Sequence, residues 1–170
     1  SAFLSPIVVN FSTIFAPRLI PLKSDRSTKF NDLEVSKFIN YLLTQGKKGI
    51  AEKIFYNSLD IIKDKTKKDP IDIFKKALNN AAPHVEVKSR RIGGATYQVP
   101  IEVPSNRQFY LSSHWIIDSA KNKSGSPMSN RLASELIAAS NNEGNAIKKK
   151  EDTHRMAEAN KAFAHFGRGR

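Results

Sequence analysis

From Glu34 onward the hydrophobic positions recur with helical spacing. Val35, Phe38, Ile39, Leu42 and Leu43 form one stripe, which predicts a first helix closed by Gly46. A second helix is expected over about Lys47 to Lys65, with Ile50, Ala51, Ile54, Phe55, Leu59 and Ile62 facing inward. The third has a start signal, Asp69 before Pro70, and an apolar row of Ile71, Phe74, Leu78 and Ala81 that stops at Pro83. The period then changes. His84 to Val103 reads HVEVKSRRIGGATYQVPIEV, two β-rich runs around Gly93-Gly94.

Pairing across that turn sets Arg90 opposite Tyr97, Lys88 opposite Val99 and Arg91 opposite Thr96, although other registers stay open. No register gives one clean apolar face, and an uncovered two-stranded ribbon is marginal in water. The ribbon is therefore expected to protrude and to be completed by something outside the chain. Three more helices follow. The fourth, about Asn106 to Lys121, is expected to bury Leu111, Trp115, Ile116 and Ala120. The fifth starts at Ser126-Pro127, carries Leu132, Ala133, Leu136 and Ile137, and ends near Gly144. The sixth, about Ile147 to Phe163, is charged and poor in large apolar residues. The expected fold is mainly α, a six-helix domain over residues 34–166 with a protruding two-stranded β-hairpin at 84–103. Residues 1–33 read as an irregular arm and 167–170 as a flexible Gly/Arg tail.

Charge adds the first functional constraint. The 170 residues carry 28 Lys and Arg against 16 Asp and Glu, a net charge of +12. That balance suits a polyanion, nucleic acid before an anionic membrane. The stretch 108–144 is neutral overall, whereas 145–170 alone carries +4. Many of the cations thus lie at helix ends, on the ribbon and in the last helix, as in a protein that contacts the phosphates of a shaped surface. Lys47 and Lys48 open a helix, where the dipole disfavours cations and an external phosphate would offset the placement. Lys88, Arg90 and Arg91 beside Tyr97 can bind phosphate and stack on bases. Lys148, Lys149 and Lys150 are either a third RNA-facing cluster or a solvated face balanced by Glu151 and Asp152.

The sequence offers little else in the way of chemistry. It has no cysteine, so thiol nucleophiles, disulfides and cysteine-ligated zinc are excluded. His154 and His165 do not form a metal pair, Gly93-Gly94 lacks the rest of a phosphate loop, and Ser112-Ser113-His114 lacks an acidic partner. No cofactor and no enzymatic activity are expected. The apolar run Ile7 to Ala16 falls short of the roughly 18 residues of a membrane span. A basic ribbon could also enter a DNA minor groove, but the Gly-Gly tip carries no wedge residue.

VSKFIN (Val35 to Asn40), GKK (Gly46 to Lys48), the ribbon, and KKKEDTHRMAEANKAFAHF (Lys148 to Phe166) resemble the seventh protein of the small ribosomal subunit, bacterial type. The similarity runs over roughly residues 33 to 166. It implies a six-helix domain with a β-hairpin arm that binds small-subunit rRNA at a junction in the 3′ major domain and nucleates head assembly. It places the hairpin and last helix near the mRNA exit path and the exit-site tRNA, with the eleventh small-subunit protein as a neighbour. By position it implies rRNA-binding roles for Lys37, Lys47, Lys48, Arg107, Lys121 and Lys123. The hairpin group is Lys88, Arg90, Arg91, Gly93, Gly94 and Tyr97. The last-helix group is Lys148, Lys149, Lys150, Arg155 and Lys161.

The chain departs from that family in four places. Residues 1–24 hold only Arg18 and Lys23 where relatives carry a basic arm, so this segment is expected to contact protein or an rRNA groove. His114 stands where an Arg before the Trp is typical, Asn122 interrupts a basic run, and the ending is Phe-Gly-Arg-Gly-Arg. With 19 Lys, 16 Ile and 13 Asn, the composition points to an A+T-rich coding genome. Together these favour an organellar ribosome, mitochondrial first and plastid as the alternative.

Overall fold

In the computed structural model, residues 33–167 are described. The expected arm over 1–33 lies outside them except for Leu33, which already opens the first helix. Of the expected tail, residues 168–170 lie outside as well. The order is α1 (Leu33–Leu42), α2 (Lys48–Thr66), α3 (Pro70–Ala81), β1 (Val85–Ile92), β2 (Ala95–Glu102), α4 (Ser105–Asn122), α5 (Met128–Ser140) and α6 (Asn145–Ala159). A final 3₁₀ helix, η1, spans Lys161–Gly167. The fold is mainly helical with one antiparallel hairpin, as the periodicities imply.

The core forms around three rings. Phe38, Phe55 and Phe74, from α1, α2 and α3, are each 0% exposed. Their centroids lie 5.0 to 5.6 Å apart, in edge-on and tilted arrangements that suit the ring quadrupoles. Against them α5 contributes Leu132, Ala133, Leu136 and Ala139, and it packs on α2, α3 and α4. The α3 start signal works as the sequence suggests: Asp69 Oδ1 accepts from the Ile71 N–H at 2.9 Å, with Pro70 at the first helical position.

Several inward-facing assignments shift by one position. Ile50 is exposed, because the buried face of α2 runs through Ala51, Phe55, Ser58, Leu59 and Ile62, and Ile50 sits a step around the helix from it. In α4, Leu111 and Trp115 are only half-buried; the inner face is Ser112, Ser113, Ile116, Ile117, Ser119 and Ala120. Serine is small enough to sit there, and Ser112 Oγ donates back to the Phe109 carbonyl of its own helix at 3.1 Å, whereas the Ser113 and Ser119 hydroxyls are buried without a hydrogen-bond partner among the described residues. On α3, Ile73 and Ala77 join the core and Ile71 lies at its margin. The helix α1 stops at Leu42, before Gly46, and Gln45 (φ 54°) and Gly46 (φ 72°) make a left-handed pair.

The hairpin has the register with Arg90 opposite Tyr97, Lys88 opposite Val99 and Arg91 opposite Thr96. Gly93 (φ 58°) and Gly94 (φ 87°) form its two-residue turn, where both centres need positive φ. The expectation of an uncovered ribbon is corrected. Its cover is the chain's own C-terminal end, since Tyr97 packs on Phe163 and Phe166 with centroids 5.3 Å away in each case. The last helix is corrected with it: α6 ends at Ala159, and the residues beyond Asn160 turn as η1 to reach the ribbon.

Candidate nucleic-acid interface

Strand alternation divides the ribbon's cations between two faces. Arg90 shares a face with Tyr97 and donates from Nη1 to the Phe166 carbonyl at 3.1 Å. Lys88, on the same face, is 56% exposed and pairs with Glu86 at 3.2 Å. Arg91 lies on the opposite face beside Ser89, Thr96 and Gln98, all exposed, and has no side-chain partner among the described residues. The tip glycines Gly93 and Gly94 are exposed, and a Cβ at either would meet open space. Only the φ of the turn, and no neighbour, dictates glycine there.

A second group lies where α1 meets α4. Arg107, Tyr110 and His114 follow one another at i, i+3 and i+7 on α4. The Arg107 guanidinium lies 5.0 Å from the Tyr110 ring centre, and the Tyr110 and His114 rings are 4.0 Å apart. Tyr41 of α1 closes the cluster, 5.5 Å from Tyr110 and 4.8 Å from His114. The Tyr110 carbonyl accepts from His114 Nδ1 at 2.9 Å, so Nδ1 carries the proton and Nε2 is left to outside partners. Lys37, one turn before Tyr41, is exposed and unpartnered among the described residues. Arg107 also reaches Glu86 at 3.4 Å, a link to the base of the ribbon.

The third group spans the end of α4 and the start of α6. Arg131 of α5 donates from Nη1 to the Lys121 carbonyl at 3.1 Å and to the Lys123 carbonyl, which ties down the end of α4. Lys121 is exposed, whereas the Lys123 ammonium lies 2.7 Å from Glu135 Oε2, a carboxylate that is 0% exposed. On α6, Lys148 is exposed and Lys149 half-buried, while Lys150 donates to the Asn80 carbonyl at 2.7 Å. Further along, Arg155 pairs with Asp152 at 3.6 Å and Lys161 with Glu158 at 3.2 Å. Both pairs are solvent-exposed and contribute little to stability. Lys47 and Lys48 open α2 at a separate turn with no acidic residue in its first turn; Lys48 makes only a 4.0 Å contact with Glu52.

At the base of the ribbon the His84 N–H donates to His154 Nε2 at 3.1 Å, and the two imidazoles stack at 6.1 Å. Partial burial lowers the His154 pKa from 6.5, helped by the Lys150 charge and by His84. The sequence reading missed this pair along with Glu135, Arg131, Tyr41 and Tyr110. A signal for Glu135 was available: it sits in the apolar row of α5 between Leu132 and Leu136, where a solvated acid has no place. Among the described residues no group of three or more His, Asp or Glu could hold a metal ion, and no helix is long and apolar enough to cross a membrane.

A helical body with cations at helix ends and on both faces of a ribbon defines a class, the basic structural module whose charge suits a polyanion. The comparisons narrow it. The family model described as "Ribosomal protein S7p/S5e" matches residues 16–161. A protein of Thermotoga maritima named "Small ribosomal subunit protein uS7" is 58% identical over 137 residues, which cover 81% of this chain and 88% of the relative. Proteins of the same name from Treponema denticola (58% over 139 residues) and Chloroflexus aggregans (55% over 140) each match 82% of the chain and 89% of their own length. The chain belongs to the ribosomal protein S7 family, whose members are structural and non-enzymatic.

Proposed function

We propose that this structural constituent of the small ribosomal subunit binds the 3′ major domain of the subunit's rRNA at a multi-helix junction and nucleates assembly of the head. Binding works through charge and shape: helix ends and the open ribbon face meet backbone phosphates and splayed bases, because the deep major groove of duplex RNA is closed to side chains. One observation carries this reading. Lys37, Lys47, Arg91, Lys121 and Lys148 are all exposed and have no side-chain partner among the described residues. In an assembled particle the ribbon and α6 would face the mRNA exit path and the exit-site tRNA, with the eleventh small-subunit protein nearby. The Lys-, Ile- and Asn-rich composition supports an organellar ribosome, mitochondrial ahead of plastid; the relatives compared are bacterial.

The test is a salt series of binding to the cognate 3′ major-domain rRNA fragment and to random duplex DNA. A preference for the rRNA that survives physiological salt is expected. Equal affinities that collapse together as salt rises would reduce the chain to non-specific phosphate binding.

A further inference from the structure

The group that the RNA reading leaves unused is the most deeply buried charged side chain among the described residues. Glu135 is 0% exposed, and its two oxygens have different partners. Oε2 faces the Lys123 ammonium at 2.7 Å, just past the end of α4. Oε1 accepts from the Ala146 N–H at 3.2 Å, in the first turn of α6. Gly144, the residue before that helix, offers no side-chain cap, so the carboxylate from α5 caps α6 in its place. The close approach requires glycine: a Cβ at Gly144 would lie 2.9 Å from Glu135 Oε1, and φ is already +96° there. One turn earlier on α5, Arg131 holds the Lys121 and Lys123 carbonyls.

We propose that Glu135 is the positioning residue of the RNA-facing surface. Its carboxylate joins the end of α4 to the start of α6, so that Lys121 and Lys148 are presented in a fixed relation, and Lys123 is its internal counter-ion and not an RNA contact. This rests on the RNA-binding reading for what the surface meets, and on geometry alone for the role of Lys123. A carboxyl group so buried is costly without polar partners, and here one oxygen has the Lys123 ammonium beside it and the other the Ala146 N–H.

Lysine acylation of the full chain, free and bound to the 3′ major-domain rRNA fragment, separates the two parts. In the free protein Lys123 is expected to react several-fold more slowly than Lys121 and Lys148. The RNA then protects Lys121 and Lys148 and leaves Lys123 unchanged. Glu135→Gln keeps an oxygen for the Ala146 N–H but removes the charge, so Lys123 should then react at the rate of Lys121, and rRNA affinity should fall several-fold without loss of salt slope. Lys121→Met should lower that slope by about one and Lys123→Met should leave it unchanged. A Lys123 that is fast in the free protein, or that RNA protects, overturns the proposal. If RNA protects no lysine, the RNA reading fails, while slow Lys123 and its release in Glu135→Gln still decide the counter-ion role.

Discussion

The bundle and the ribbon are held together in opposite ways. In the bundle, Phe38, Phe55 and Phe74 are completely enclosed by helices from both halves of the sequence, so the body closes on itself. In the ribbon only Val99 and Glu86 are buried, and its cohesion comes from one edge of contact with η1 and α6. The body can therefore be stable in isolation, while the ribbon is only as ordered as the C-terminal segment that covers it. The difference also sorts the cations. Those on the covered side of the ribbon have partners within the chain, and Arg91 on the other side is left for something else.

The largest effect should come from the body. Phe74→Ala removes a ring that meets both other phenylalanines, and about 3–5 kcal/mol of unfolding free energy should be lost. Denaturant unfolding measures this; a loss below about 1 kcal/mol would mean that the three rings do not form the centre of the core. A smaller and local effect should follow removal of residues 161–170. Amide exchange in β1 and β2 should then rise towards unprotected rates while α3 and α5 keep their protection, since an uncovered two-stranded ribbon is marginal. Equal protection before and after truncation would show that the ribbon stands without its cover.

Those two outcomes bear on what the sequence could convey. Local signals were readable: the Asp69-Pro70 start, the Gly93-Gly94 turn and the stripes of α1 and α5 all depend on neighbours within a few residues. The side of a helix that is buried most deeply depends on what packs there, and this is why Trp115 of α4 lies at the margin while Ser112 and Ser113 lie inside. Contacts across long separations, such as Arg90 with the Phe166 carbonyl or Glu135 with the Ala146 N–H, leave no periodic trace. The basic positions of the interface could be named from the sequence, but not the division between cations with internal partners and cations without them.

Arg90 and Arg91 make that division testable at adjacent positions. Arg91→Ala should lower the salt slope of rRNA binding by about one and change stability by less than about 0.5 kcal/mol, as for an exposed side chain. Arg90→Ala should instead loosen the ribbon, at about 1 kcal/mol for the lost hydrogen bond to the Phe166 carbonyl, with exchange rising in β1 and β2. Identical behaviour of the two variants would abolish the distinction between the faces.

The finest test concerns the base of the ribbon, where His154 Nε2 must be unprotonated to accept from the His84 N–H. Burial, then Lys150 and His84, hold its folded pKa below 6.5, so between that value and 6.5 the unfolded chain binds more protons than the folded one. The contribution of the contact is therefore complete above about pH 6.5 and declines as pH falls through the window beneath it. Because the imidazole is only partly buried, this should be the smallest of the effects. Unfolding of the wild type and of His154→Gln, compared at pH 8 and pH 5, isolates it, since the glutamine carbonyl can still accept but does not titrate. The wild type should lose more stability than the variant on acidification. Parallel losses would show that the imidazole does not sense pH at the joint between ribbon and body.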